Sequence, residues 1–287
     1  MSLERINLYK TTSGIFATAE NKTYPIPTKS WSELVNRKEL FEHLNTVLSG
    51  QDPIEGGIAP DTILAPIDQQ EIWAAGVTYY RSREARMDES RESGGATFYD
   101  KVYEADRPEL FFKATPARTS GPGEHVYIRR DSQWNVPEPE LTLFISTYGS
   151  IEGYTIGNDM SSRDIEGANP LYLPQAKVYS NSAALGPCLM VQKDPIAPST
   201  TITLSIKREG KEVVNNHIEV SQIKRKFEEL VQYLFMECEF PNGAYLMTGT
   251  GIIPEDDFSL KPGDEVAISI ENIGTLYNIV SFNPRRQ

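Results

Sequence analysis

The sequence predicts a mainly β protein with some α, an α+β fold. Three observations carry this. Ile202, Leu204 and Ile206 alternate with polar residues up to Glu209-Gly210, which reads as a strand running into a hairpin turn. Val266, Ile268 and Ile270 repeat the same two-residue period near the C terminus. Helical spacing is rarer: Leu40, Phe41, Leu44, Val47 and Leu48 mark one amphipathic helix, stopped by Gly50, and Ile223, Phe227, Leu230, Val231 and Leu234 mark another.

In chain order, Ile6–Tyr9 and Gly14–Ala17 predict short strands joined by a turn, ahead of the first helix. Residues 51–63 are rich in Gly, Pro and Asp and read as a linker. A boundary near residue 68 then divides a small N-terminal α+β domain (1–68) from a larger, mostly β domain (69–287). The larger domain opens with "EIWAAGVTYY" (71–80), a buried strand. Residues 81–106 are polar and charged around "ESGGA" and read as a mobile, partly helical lid or a solvated loop. Strands resume at Leu110–Lys113 and His125–Ile128. No repeat or low-complexity segment interrupts the pattern.

The 287 residues include 39% hydrophobic and 24% charged side chains, enough apolar material for an ordinary core. The formal charge of −12 disfavours nucleic acid and anionic membranes as partners. An anionic substrate would need a local reversal of sign, which a bound metal can supply. No apolar run reaches the ~20 residues of a membrane span, and no charged-then-apolar segment opens the chain. Cys188 and Cys238 sit in apolar company and read as small core residues rather than a disulfide. A cytoplasmic location follows as an expectation. His43, His125 and His217 are scattered with no paired spacing, which argues against zinc.

The chemistry concentrates in "VPEPELTLF" (136–144). Glu138 and Glu140 are two apart, so a strand would point both the same way. Two like charges on one half-buried face repel and resist desolvation. One reading is a pair of solvent-facing acids on an edge strand that Pro137 and Pro139 protect. The other needs a third acid. "GYTIGNDMSSRD" (153–164) supplies Asp159 where a strand meets a polar turn. If the two strands pair, three carboxylates converge, and an oxygen-only set suits a hard cation, Mg²⁺, Mn²⁺ or Ca²⁺.

These segments, with "AKVYSNSAALGP" (176–187), "TGTG" (248–251) and "LKPGDEVAISIENIGTLYN" (260–278), resemble the fumarylacetoacetate hydrolase superfamily over residues 69–287. The resemblance implies that superfamily's mixed β-sandwich roll, a divalent metal (usually Mg²⁺) and a homodimer or homotetramer. It places the metal-binding acids on Glu138, Glu140 and Asp159 and the active-site lysine on Lys177. "YEADRPELFFKATPARTSGPGE", "SQWNVPEPEL" and "GANPLYLPQAKVY" are similar to the 2-keto-3-deoxy-D-arabinonate dehydratases of the superfamily. One departure separates the branches. The hydrolases carry a His and a Glu after a "GxNY"-like stretch, and the dyad activates water. Here "GVTYYRSREARM" (76–87) has no His, and Ser82 stands near its place. Elimination needs no nucleophilic water, so the dehydratase branch fits better.

The resemblance thus implies dehydration of a small anionic 2-keto-3-deoxy sugar acid through an enolate. Lys177 is the first candidate for proton transfer, and Glu109, ahead of "LFFKAT", the second, as acid for the leaving hydroxyl. Lys113 either binds the substrate carboxylate or pairs with an acid. Tyr79 and Thr250 are substrate contacts by family position. Arg163 reads as an ion-pair partner of Asp164 bracing the metal loop, or as a substrate contact. Gly249 and Gly251 suggest backbone close to ligand. The family's "GTPAGVG" is here "GTGIIPEDD", so the distal end of the substrate is met differently. The alternatives are a C–C hydrolase or acylpyruvase using Glu84 or Glu89 on water, and a non-catalytic metal- or sugar-acid-binding β-protein.

Overall fold

The computed structural model describes residues 3–79, 102–255 and 257–285. The chain starts with three antiparallel strands, β1 (Arg5–Thr11), β2 (Gly14–Ala19) and β3 (Lys22–Ile26). Helices α1 (Trp31–Val35) and α2 (Leu40–Ser49) follow, the first capped by the Ser30 hydroxyl accepting from the Glu33 amide. Then come β4 (Glu71–Gly76), β5 (Glu109–Ala114), β6 (Thr119–Ser120), β7 (His125–Ile128) and β8 (Asn135–Val136). The acid-bearing region consists of β9 (Pro139–Ile145), β10 (Ile151–Asp159), β11 (Ser161–Ser162), α3 (Arg163–Ala168) and α4 (Leu173–Lys177). The remainder is β12 (Ala183–Gln192), the hairpin β13 (Thr201–Arg208) and β14 (Lys211–Glu219), α5 (Phe227–Phe235), β15 (Ala244–Met247), β16 (Glu265–Ile270) and β17 (Gly274–Phe282).

A large mixed sheet runs in the order β3-β2-β1-β12-β10-β9-β15-β4-β5, with β6 beside β12. A five-stranded sheet, β14-β13-β16-β17-β7, packs over it. Leu141, Leu143 and Ile156 of the large sheet and Leu204, Ile206 and Ile268 of the smaller one belong to one buried apolar cluster between them. The other face of the large sheet buries Phe144, Tyr245 and Leu185 under Trp31, Leu40 and Leu44 of the two N-terminal helices. The architecture is therefore helices, sheet, sheet.

The hairpin forms where the sequence predicts it, with Glu209 and Gly210 both at positive φ, the backbone of a two-residue turn that matches strand twist. The three N-terminal strands extend the large sheet rather than forming one of their own: β1 pairs with β12 from Arg5↔Gln192 to Leu8↔Leu189. Residues on both sides of position 68 thus share one sheet and one apolar cluster. Cys188 is buried as expected, but Cys238 is exposed; both are free. The expected lid falls largely on residues 80–101, which lie outside the described residues, as do Ser82, Glu84 and Glu89. Among the described residues no helix is long and apolar enough to cross a membrane.

Candidate active site

Strand register brings the three acids together. β9 lies inside the large sheet between β10 and β15, which overturns the reading of Glu138 and Glu140 as solvent-facing acids on an edge. Pro139 is tolerated because it is the first residue of its strand. Antiparallel pairing sets Glu140 opposite Gly157. One step further out, the backbones of Glu138 and Asp159 exchange hydrogen bonds of 3.2 and 3.0 Å. Residues directly opposite share a face, and so do residues two apart. All three carboxyl groups therefore project to one side, buried, with one oxygen from each inside a 4.8 Å span.

Two lysines and an arginine, also buried, meet these acids. Lys177 is the last residue of α4 and is 1% exposed. Its Nζ donates to Glu138 Oε2 (2.7 Å), Asp159 Oδ2 (3.2 Å) and Ser161 Oγ (2.6 Å). The Phe111 ring lies 5.8 Å from it. Lys113 is 0% exposed and reaches from β5 to Asp159 Oδ1 (2.5 Å) and to the carbonyls of Met160 (3.0 Å) and Lys177 (2.5 Å). Lys113 thus makes two hydrogen bonds to backbone carbonyls and an ion pair with Asp159. That is the acid-pairing role of its two predicted ones. Arg163, opening α3, places Nη2 2.8 Å from Glu138 Oε1 and Nε 3.9 Å from Glu166 Oε2. The expected Arg163–Asp164 pair does not form. Asp164 accepts from Ser132 Oγ (2.5 Å), the Gln133 amide (2.7 Å) and its neighbour Ile165 (3.0 Å), because successive helical residues face different directions.

Glu140 stands apart. Its hydrogen bond is to the Gly249 amide at 2.6 Å. Gly249 has φ +90, and a Cβ there would sit 2.0 Å from Thr78 Oγ1, so glycine is required for that amide to reach the carboxylate. Burial, followed by repulsion from Asp159 and Glu138, holds the Glu140 carboxyl well above the usual carboxylate range, against the opposing pull of Lys177 and the Gly249 amide. Lys113 is lowered, chiefly by burial, with Asp159 acting the other way. A divalent cation on the three convergent carboxylates would offset the mutual repulsion that, after burial, raises Glu140. The donor set is oxygen only, which fits Mg²⁺, Mn²⁺ or Ca²⁺.

The surrounding cleft is lined by Gly76, Phe111 and Thr250 with Glu138, Glu140, Asp159, Arg163 and Lys177. Glu109 faces Gly76 across β4 and β5, and its carboxylate lies so close over that glycine that a Cβ there would be 2.1 Å from Oε2. It borders the cleft rather than lining it. The Tyr79 ring packs behind Gly251 in the apolar cluster, and burial, with Glu140 adding to it, pushes its hydroxyl pKa up. All three histidines are among the described residues, and none lines the cleft. Sequence reasoning passed over Ser161, Glu166, Phe111 and Tyr179. Glu166 had no signal in the chain itself, because the helix that sets it three residues from Arg163 is only six residues long. Tyr179 had none.

A hydrolase-type acid cluster on this sheet pairing defines a class, and the family comparison agrees. Residues 72–281 match the family model described as fumarylacetoacetate (FAA) hydrolase C-terminal, and the chain belongs to that family. Within it, the chain is 46% identical over 231 residues to a probable 2-keto-3-deoxyxylonate dehydratase of Haloferax volcanii, covering 80% of this chain and 78% of the relative. It is also 46% identical over 216 residues to the 2-dehydro-3-deoxy-D-arabinonate dehydratase of Saccharolobus solfataricus (75% and 72%). A solved structure of 2-keto-3-deoxy-D-arabinonate dehydratase complexed with magnesium and 2,5-dioxopentanoate superimposes with a TM-score of 0.81 at 34% identity, covering 97% of this chain and 99% of that one.

Proposed function

We propose that this chain is a Mg²⁺-dependent hydro-lyase that dehydrates a 2-keto-3-deoxy sugar acid, with 2-keto-3-deoxy-D-arabinonate giving 2,5-dioxopentanoate as the leading reaction. The observation that carries it is a buried, oxygen-only acid cluster with Lys177 against it and no histidine in the cleft. The 46% identity to two sugar-acid dehydratases supports the same substrate class.

Glu138, Glu140 and Asp159 would hold the cation, with Mn²⁺ or Ca²⁺ as substitutes. When bound, Mg²⁺ supplies Lewis acidity that polarises a 2-keto group and acidifies C3. Lys177 is assigned the C3 proton. Its Nζ lies 2.7 Å from Glu138 and 3.2 Å from Asp159, against the acids assigned to the cation. Glu109 is assigned the proton that leaves with the C4 hydroxyl as water. The sum is loss of one proton from C3 and one hydroxyl from C4. A proton shift from C5 to C3 then gives the terminal enol, which becomes the aldehyde of the dioxo acid.

Thr250, in the cleft wall, and Tyr79, beside Gly251, are assigned substrate contacts. Lys113 and Arg163 are assigned to orienting the acids. Every lining residue comes from position 75 onward, so we assign the chemistry to 69–287 and a supporting role to 1–68. A homodimer or homotetramer in the cytoplasm completes the reading, and light scattering measures the assembly.

The test is a coupled assay with 2-keto-3-deoxy-D-arabinonate that follows 2,5-dioxopentanoate with and without EDTA, run beside an acylpyruvate. EDTA-sensitive formation of the dioxo acid is the expected result. Silence there, with pyruvate released from the acylpyruvate, would replace the dehydratase by a C–C hydrolase.

A further inference from the structure

Among the described residues, three arginines gather around one cavity away from the acids. A cavity of about 470 Å³ is walled by Arg118, Arg129 and Arg130 with the aromatic rings of Tyr127 and Tyr179. One acid, Asp131, lines it, and that acid is taken up by Arg129 through bonds of 2.9 and 2.6 Å. Arg118 and Arg130 have no carboxylate partner among the described residues; Arg130 stacks on Phe282 at 4.4 Å. In a chain with 40 acids to 28 bases, guanidinium groups without acids around one concavity are not what random surface mixing gives. A guanidinium presents a planar fork of donors that matches phosphate and carboxylate.

The cavity also touches the machinery of the site. Arg129 Nη1 donates to the Gln175 carbonyl (3.0 Å) in α4, the helix that ends at Lys177. Tyr179, two residues on, has Arg129 at 5.8 Å from its ring centroid and Lys113 at 6.0 Å. One aromatic ring thus separates an arginine of the cavity from the lysine that pairs with Asp159.

We propose that this cavity binds a small anion of the phosphate or carboxylate class, held by Arg118 and Arg130, and that its occupancy steadies α4 and the segment to Tyr179. The site is distinct from the acid cluster and does not depend on the reaction assigned there. An anion seated between the guanidiniums neutralises their mutual repulsion and ties Arg129, already bonded to α4, into the same network.

The experiment is calorimetric titration of inorganic phosphate, and separately of succinate, into the Mg²⁺-loaded full chain at fixed ionic strength. Saturable binding of one anion per chain is expected, weakened about tenfold in each of Arg118→Gln and Arg130→Gln and unchanged in Lys177→Met. The arm that saturates at lower concentration identifies phosphate or carboxylate as the preferred chemistry. Amide exchange across residues 173–180 should slow on saturation in the wild type and not in the arginine variants. Binding that survives both arginine substitutions, or is lost in Lys177→Met, would overturn the proposal by placing the anion at the acid cluster. Absence of saturable binding would overturn it too, as would arginine variants that change the mass of the assembly without changing anion affinity, because the cavity would then be a seam between copies of the chain.

Discussion

Strands β9 and β13 are close in length but obey different rules. In β13, buried Ile202, Leu204 and Ile206 alternate with more exposed residues, so the burial follows the sequence period directly. In β9 every residue from Pro139 to Ile145 is buried. Leu141, Leu143 and Ile145 enter the cluster between the sheets, Phe144 enters the one beneath the helices, and Glu140 lies on Phe144's side. A strand covered on both faces has no solvent side on which to leave a charge. Glu140 in β9 is met there by the Gly249 amide, while Glu138 just ahead of the strand is met by Lys177 and Arg163 and Asp159 at the end of β10 by Lys177 and Lys113. One strand is held by apolar area. The other carries a charge set whose members cannot be removed singly without consequence.

The sharpest way to break this comparison is Lys177→Met. Loss of the proton-transfer group should lower turnover by about 10²–10⁴-fold, while equilibrium dialysis still finds one Mg²⁺ per chain. Retained turnover would reduce Lys177 to a charge-balancing role. Next is Glu138→Ala, which leaves Lys177 and Arg163 without their shared carboxylate. It should cost about 3–5 kcal/mol in chemical denaturation and abolish Mg²⁺ binding; a variant with native stability would mean that the cluster is more hydrated than its burial implies. Leu204→Ala in β13 is the control from the apolar strand. It should cost about 2–5 kcal/mol and leave turnover per folded molecule unchanged, since it touches no charged group.

The smallest effect is one of pH. The Glu140 carboxyl is raised, so the folded chain keeps this proton to a higher pH than the unfolded chain does. The group therefore favours folding at low pH, and that contribution is lost as pH rises from the ordinary carboxylate range through the raised folded value. A cation needs the ionised form and must displace the proton, so Mg²⁺ binds more weakly on the acid side. The rise in Tm on adding a fixed Mg²⁺ concentration should be a few degrees larger near pH 8 than near pH 6. An equal rise at both would show that Glu140 is ionised throughout and that its neighbours already compensate it.

Much of this was present in the linear chain. Alternation placed β13 and β16, the Glu209-Gly210 turn closed the hairpin, and helical spacing with Gly50 bounded α2. Local rules suffice where one face is apolar and the other wet. The short helices α1, α3 and α4 were not readable, because five or six residues carry too little period. The α5 pattern was read from Ile223, yet the helix starts at Phe227. The two acids in "PEPEL" and the third in "GND" were visible as residue types, and the family motifs added Lys177.

Tertiary structure decided what those charges do. Register between β9 and β10 set Asp159 against Glu138, a pairing of residues 21 positions apart that no local pattern encodes. The same folding sent Arg163 to Glu138 instead of to its neighbour Asp164, and set Lys113 against Asp159 and two backbone carbonyls. It also set β9 in the sheet interior, where Pro139 and the preceding Pro137 guard no edge. By itself the sequence determined the fold class and the inventory of chemical groups, because these rest on composition and short-range period. The charge balance of the site was decided in three dimensions, because desolvation and Coulomb energy depend on distances across the sheet and not along the chain.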